Sequence, residues 1–403
     1  ASDVYQRQGL VLYDLTSSYF EGTTCPLAAF GHNRDGKKGK LQVNYGLLVD
    51  EVGRPVATSV FEGNTGDPKT FLPQVQKVRE QFDIHRLIVV GDRGMISQKQ
   101  IDHLSTADGI DWITALKTGA IRELVHDGHL QLGLFDQRNL FEFTDPDRPG
   151  ERFVACRNAD LAVLRARKRQ SLLEATTKLL DQVRGMVERG TLTGKDQIGL
   201  RVGKVIHKHK VAKHFVLDID DGRFRYRIDE VKVAAEAALD GVYVIRTSVK
   251  RRRLSAADAV RSYKQLAVAE RAFRSLKTVD LKVRPIHHRL EDRVRAHIFL
   301  CMLAYYVEWH MREAWRPLTF ADEDQEAKRT RDPVAPAARS EKALAKARSK
   351  LLDDGTEAHS FHTLLDHLAT IVRNVCRVPG GDETFDVVTT LNERQQQALD
   401  LLK

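Results

Sequence analysis

Apolar and polar positions alternate along the early part of the chain and recur at helical spacing along the later part, which predicts strands first and long helices last. Residues 8–15 (QGLVLYDL) read as a strand with Asp14 near its end, followed by the polar run TSSYFEG. Residues 41–50 read as a second strand, 51–54 as a turn and 55–61 as a third strand returning as a hairpin. After a loop over 62–69, Asp67 or Thr70 opens a helix that runs to about Phe82. Residues 87–90 (LIVV) form the short apolar run of a strand buried on both faces, ended by Gly91-Asp92-Arg93-Gly94. Residues 97–104 then read as a helix and 111–116 as another strand. Three antiparallel strands, helix, strand, helix and strand predict an α/β fold, a mixed sheet with helices on its faces. In that order Asp14 lies on the central strand and Asp92 at the carboxyl end of a strand able to lie beside it, where open α/β sheets place their sites.

Past residue 116 the pattern changes. Short alternating runs (129–134, 140–143, 153–156, 215–219) surround one charged helix over 159–189, whose basic cluster 165–169 lies near Arg157. This reads as a β-rich insertion over 117–240, after which 241–247 (GVYVIRT) is a strand leading back to the first domain. Residues 290–315 read as a long helix whose 296–307 segment packs on the core. Residues 323–350 read as an exposed linker with partial helix, 360–377 as a small amphipathic helix, and the last segment as another. The expected organisation is a core made of 1–116 and 241–318, the insertion 117–240, and a linker with C-terminal helices over 319–403.

The stretch 255–277 (SAADAVRSYKQLAVAERAFRSLK) predicts one amphipathic helix, with Ser255 as N-cap and Asp258 three residues on. Leu266, Ala269, Ala272, Phe273 and Leu276 form its core-facing stripe. Tyr263, Glu270 and Lys277, spaced by sevens, share a neighbouring edge with Arg274 one turn past Glu270. An acid, a phenol and two cations beside a buried face suit a site for a metal and a phosphate. Taken alone, the same edge is a solvated face with an i,i+4 Glu–Arg pair.

Composition narrows the class. The 403 residues are 42% hydrophobic and 30% charged, enough for a core, and the net charge of +9 favours polyanionic partners such as nucleic acid. Cys25, Cys156, Cys301 and Cys376 are scattered, without zinc spacing or a disulfide framework, and a reducing cytoplasm is the simplest inference. No apolar run reaches membrane-spanning length; 298–307 (IFLCMLAYYV) is the most apolar and reads as a buried helix. The chain opens on Ala1, so either it was processed or an upstream part lies outside this sequence.

Phosphodiester cleavage needs an activated oxygen nucleophile and charge compensation at the leaving oxygen, which two divalent cations held by carboxylates supply. Asp14 on one strand, Asp92 at a neighbouring strand end and Glu270 on a helix packing beside them would satisfy this need. Locally, Asp14 could equally cap a turn at Ser17 or Ser18, and Asp92 could bond its own turn. Asp50, Asp67 and Asp111 compete for the same role. The blocks YDLTSSYFEG, VVGDRGM and YKQLAVAERAFRSLK, in this order and with an insertion before the last, resemble the D-D-E transposases of bacterial insertion sequences. More narrowly, they resemble the group with a tyrosine–arginine–glutamate–lysine helix and a β-strand insertion in a ribonuclease H-like core.

The resemblance covers about residues 8–315. It implies DNA cleavage at element ends and strand transfer into target DNA, with Asp14, Asp92 and Glu270 as ligands of Mg²⁺, or of Mn²⁺ in its place. Tyr263, Lys277 and Arg274 would be the phosphate-binding residues. In the family pattern Y-x2-R-x3-E-x6-K the arginine position holds Leu266 here, and Arg261, Lys264 or Arg274 are the available replacements. Three basic stretches, 31–40, 201–214 and 250–253, suit either DNA phosphates or a solvated face. Trp112, Phe141 and Phe143 read as core. His207, His209, His287 and His288 lack the acid or cysteine spacing of a metal site. The family carries a DNA-binding domain ahead of the first catalytic strand, and here about a dozen residues precede Asp14, so reduced end recognition is the expectation. The expected partner is double-stranded DNA, bound by a dimer and with no membrane. The rival readings are a non-catalytic, truncated DNA-binding derivative that regulates transposition and a metal nuclease that cuts without joining.

Overall fold

A computed structural model describes residues 8–84, 86–377 and 379–403. The described residues fall into two compact units, one made of the chain up to 114 together with 247–403, the other of 115–246.

In the first unit β1 (Gln8–Tyr19), β2 (Gln42–Asp50) and β3 (Pro55–Glu62) form an antiparallel meander. Helix α1 (Asp67–Phe82) crosses over to β4 (Arg86–Val90), parallel to β1, and α2 (Gln98–Ser105) leads to β5 (Ile110–Ala115), parallel to β4. The strand order β3-β2-β1-β4-β5 is the ribonuclease H-like arrangement. Strand β1 runs four residues past its predicted end, because Thr16 to Tyr19 pair with Tyr45 to Gln42 rather than turning away. Ser18 also bonds the buried Tyr45 hydroxyl at 3.0 Å, so a polar sequence is kept in the strand by a polar partner. Phe71, Val75 and Val78 of α1 pack one sheet face, with Tyr13, Val89 and Trp112 in the same core.

The second unit holds α3 (Thr118–His126), the hairpin β6 (Leu140–Phe143) and β7 (Arg152–Arg157), and the 30-residue α4 (Ala159–Glu188). It continues with α5 (Lys195–Ile206), the hairpin β8 (Phe215–Asp220) and β9 (Arg223–Ile228), α6 (Glu230–Ala237) and β10 (Val242–Thr247). Residues 129–134, expected to be a strand, form turns instead, with Leu130 tucked back onto α3 through a bond to Leu124. Phe141 stacks on Phe143, which in turn stacks on the buried Phe153. Ile198, Val202 and Ile206 of α5 face a core shared with α4, leaving Arg201 and Lys204 exposed.

The first unit resumes with Thr247 and Ser248, which bond the Trp112 carbonyl and the Asp111 carboxylate. The predicted single helix over 255–277 is divided. Helix α7 (Ala256–Lys264) and α8 (Leu266–Arg274) meet at Gln265, where the Val268 N–H bonds three residues back and tightens the turn. Ser275–Val279 then widens into a π-turn. The wider turn breaks the seven-residue register: Glu270 is exposed and Lys277 is buried, so the two do not share an edge. Helix α9 (Glu291–Ala314) buries one stripe, Val294, Ile298, Met302 and Tyr305, whereas Phe299, Leu300, Leu303, Tyr306 and Val307 stay exposed. The expectation of a helix buried over 296–307 therefore holds for one face only, since a single sheet covers a single stripe. Among the described residues no helix is long and apolar enough to cross a membrane.

Beyond it lie α10 (Gln325–Thr330), α11 (Glu341–Ser349), α12 (Phe361–Leu368), the hairpin β11 (Arg373–Arg377) and β12 (Thr384–Val388), and α13 (Glu393–Asp400). The helix expected over 360–377 stops at Leu368. Ile371, Val372 and Val375 favour strand, and Phe385, Val387 and Val388 supply its partner across a turn containing Gly380 and Gly381.

Candidate active site

Successive side chains of a strand point to opposite faces. Val11, Tyr13 and Leu15 enter the core under α1, which turns Asp14, Thr16 and Ser18 to the face that carries α8 and the π-turn. On that face Tyr45 meets Phe273 of α8 edge-on at 5.8 Å. Parallel pairing matches Leu12 with Val90, and two residues beyond on each strand stand Asp14 and Asp92. Neighbouring strands lie about 4.8 Å apart, and the ladder, which ends at Leu12 and Val90, leads the two acids into the same neighbourhood, with Asp92 just past the end of β4.

The Asp14 carboxylate accepts from the Leu15 N–H at 2.8 Å. Asp92 Oδ1 accepts from the N–H groups of Gly94 (2.9 Å) and Met95 (2.8 Å), which fixes the acid at the end of β4 through one oxygen. Burial pushes the Asp14 carboxyl up to about 6; the charges of Asp92 and Glu270 push the same way, against the Leu15 hydrogen bond and Arg34. Tyr263 is pushed up to about 12 by burial, with Asp92 and Glu270 adding to it and Arg93 opposing. Asp92 and Glu270 thus lie within electrostatic reach of both Asp14 and Tyr263. The donor chemistry fits a hard divalent cation, because the acids are oxygen donors whose crowded charge a cation relieves. Among the described residues no three His, Cys, Asp or Glu side chains stand close enough together to hold a metal ion.

The competing acids have other partners. Asp50 holds the β2–β3 turn through Val52 and Arg54, Asp67 pairs with Arg34 at 2.5 Å, and Asp111 bonds Ser248 and pairs with Arg253. Of the replacements for the arginine missing at Leu266, Arg261 binds the carbonyls of Thr330 and Arg331, and Lys264 those of Val334 and Ala335. Both hold the segment after α10. Arg274 remains exposed at the end of α8.

Lys277 lies on the π-turn with its Nζ 3.0 Å from Thr16 Oγ1 and 2.5 Å from Asp35 Oδ1. The same carboxylate pairs with Arg284 and accepts from the Tyr19 N–H at 3.2 Å. Burial lowers the Lys277 ammonium, with Arg284 and Arg34 adding to that and Asp35 opposing it. Ser275 beside it bonds the buried Glu308 of α9 at 2.9 Å, and Arg312 of the same helix pairs with that acid at 2.6 Å, so α9 pins the π-turn. Arg34, Asp35, Arg284 and Glu308 did not stand out in the sequence. The one available signal was a lone acid inside the cationic run GHNRDGKKGK. Arg34 sits near Asp14, and its Nη1 is buried without a hydrogen-bond partner among the described residues.

The profile of the family described as "Transposase DDE domain" matches residues 6–307. No curated protein matches the chain. Among solved structures it is similar to the Mos1 transposase paired-end complex with left transposon end, at 12% identity over 31% of this chain and 42% of that one, with a TM-score of 0.20. It is also similar to the piggyBac transposase synaptic complex with hairpin DNA, at 10% identity over 85% of this chain and 62% of that one, with a TM-score of 0.26. The chain thus spans less than two thirds of either. With most of its length matched by one profile, this chain belongs to the transposase DDE domain family.

Proposed function

We propose that this chain is a metal-dependent DNA transposase that cleaves phosphodiesters at element ends and joins the freed strand to target DNA. Asp14, Asp92 and Glu270 would hold Mg²⁺ or Mn²⁺. What supports the reading is Asp14 on β1 with Asp92 just past the end of β4, and Glu270 of α8 near enough for its charge to act on the Asp14 carboxyl. When bound, divalent cations supply an activated oxygen nucleophile and offset charge on the leaving oxygen. The chain's own residues orient the substrate. Tyr263, held protonated by its neighbours, donates a hydrogen bond to a phosphate oxygen. Lys277, fixed by Thr16 and Asp35, places positive charge at one point beside Asp14, and Arg274 adds an exposed cation on the α8 side. Two copies, each engaging one end, belong to the same reading.

The test is cleavage and joining of duplex DNA bearing the element ends, with and without Mg²⁺, for the wild type beside Glu270→Gln and Asp92→Asn. Metal-dependent nicking and a joined product are expected for the wild type. Each variant is expected to lose at least a hundredfold in rate while still binding DNA, roughly the cost of losing one transition-state charge contact. Cleavage at the wild-type rate in either variant removes that acid from the site. Binding without cleavage by the wild type makes the chain a regulatory DNA-binding derivative, and nicking without joining makes it a nuclease.

A further inference from the structure

A cavity of about 250 Å³ opens beside Lys277, lined by Tyr19, Asp35 and four cations, Lys37, Lys277, Lys282 and Arg284. One carboxylate faces four cations, and Asp35 is already engaged by Lys277, Arg284 and the Tyr19 N–H. The cavity is therefore left strongly positive, which suits an anion. Asp35 is 2% exposed and acts as a buried frame that holds two of the cations at a fixed spacing. Lys37 lies over the Tyr19 ring at 5.7 Å, and both Lys37 and Lys282 are exposed, free to adjust to a ligand entering from solvent. The cavity's position is set by Thr16, which bonds Lys277 and follows Asp14 by two residues on the same face of β1. Lys277 of the cavity wall is thus anchored to a residue about 7 Å of strand from Asp14.

We propose that this cavity is a second phosphate subsite, which takes the backbone phosphate next to the one being cleaved. Lys37, Lys282 and Arg284 are its donors, and Asp35 is the positioning residue that keeps Lys277 and Arg284 in place. None of these four belongs to the tyrosine–glutamate–lysine helix. The proposal rests on the reading of Asp14, Asp92 and Glu270 as the cleavage site, since that reading fixes which phosphate is the neighbour.

The experiment measures binding of the full chain to a duplex of about 30 base pairs, by fluorescence anisotropy in metal-free buffer over a range of salt. Lys37→Ala/Lys282→Ala is compared with wild type and with Lys342→Ala/Arg348→Ala, which removes two exposed cations from α11. The slope of log affinity against log salt is expected to become shallower by about one in the first variant, one phosphate contact being worth roughly 0.9. The control is expected to keep the wild-type slope, with melting temperatures alike in all three. A slope in Lys37→Ala/Lys282→Ala that matches wild type, or falls no more than in the control, overturns the subsite. The Mg²⁺ cleavage assay separates the two ideas. A wild type that cuts, with an unchanged slope in the variant, loses the subsite and keeps the transposase reading. A wild type that cuts nothing, with a shallower slope in the variant, loses that reading and keeps an anion site.

Discussion

Burial and two neighbouring carboxylates hold the Asp14 carboxyl near pKa 6, above the ordinary aspartate value of 3.8, so the folded chain without metal binds this proton more tightly than the unfolded chain does. A raised pKa contributes stability that is present below about pH 4 and lost as pH rises through about 6. Asp14→Asn removes that loss. Urea denaturation in chelator is expected to show the variant more stable than wild type by about 2 kcal/mol at pH 7, with the difference vanishing below pH 4. A constant difference across the range would detach Asp14 from its neighbours. Asp35 works in the opposite sense. Asp35→Asn leaves Lys277 and Arg284 side by side without their shared carboxylate, and is expected to lower stability by about 2–4 kcal/mol, read from the same denaturation curves. The positions of Asp14 on β1 and of Asp92 just past β4 were legible from sequence because an apolar run leads up to each. Asp35 was not, because what makes it a hub is two cations about 240 to 250 residues further along, in a different segment.

At the level of elements, the strands and crossovers of the first unit were legible because their apolar runs are short and end in strong turn residues. The helix over 255–277 was legible as a face but not as a shape. Its good helix formers gave no sign of the π-turn, which is pinned by Glu308 and Arg312 from another helix. The hairpin of β11 and β12 was missed for a related reason, a helical start at Phe361 masking the β-branched residues after it. Strand β2 offers a test of how tightly the catalytic strand is packed. Gly46 lies against the ring and hydroxyl of the fully buried Tyr13, so a methyl group there has no room. Gly46→Ala is expected to cost about 1–3 kcal/mol and to reduce cleavage further than that loss explains, because Tyr13 precedes Asp14. Thermal melting beside rate measurement under conditions where both proteins are folded checks the two parts.

On the scale of the molecule, the two units hold separate cores, one around Phe71 and Trp112 and the other around Leu180 and Ile198. Phe71→Ala and Leu180→Ala, each creating a cavity worth about 2–5 kcal/mol, are expected to lower different transitions in calorimetry. Equal displacement of a single transition would make the chain one cooperative body. The net charge of +9 was informative about partner class and silent about where the partner lies. Structure divides the basic stretches: part of 31–40 lines the cavity beside Lys277, while Arg253 of 250–253 is engaged by Asp111.

The parallel ladder between β1 and β4 also limits how the chain can change in length. One residue added between Gly9 and Tyr13 would turn Asp14 over, carrying its carboxylate toward Phe71 and the Tyr13 phenol in its place toward Glu270. Two residues would restore the face but slide the acid about 7 Å past Asp92. In the loop over 31–40, Asp35 is held by Lys277, Arg284 and the Tyr19 N–H, and Arg34 beside it by Ser17 and Asp67. An insertion that keeps the site intact is therefore expected only where it leaves the ladders on either side of β1 and the Asp35 carboxylate in step.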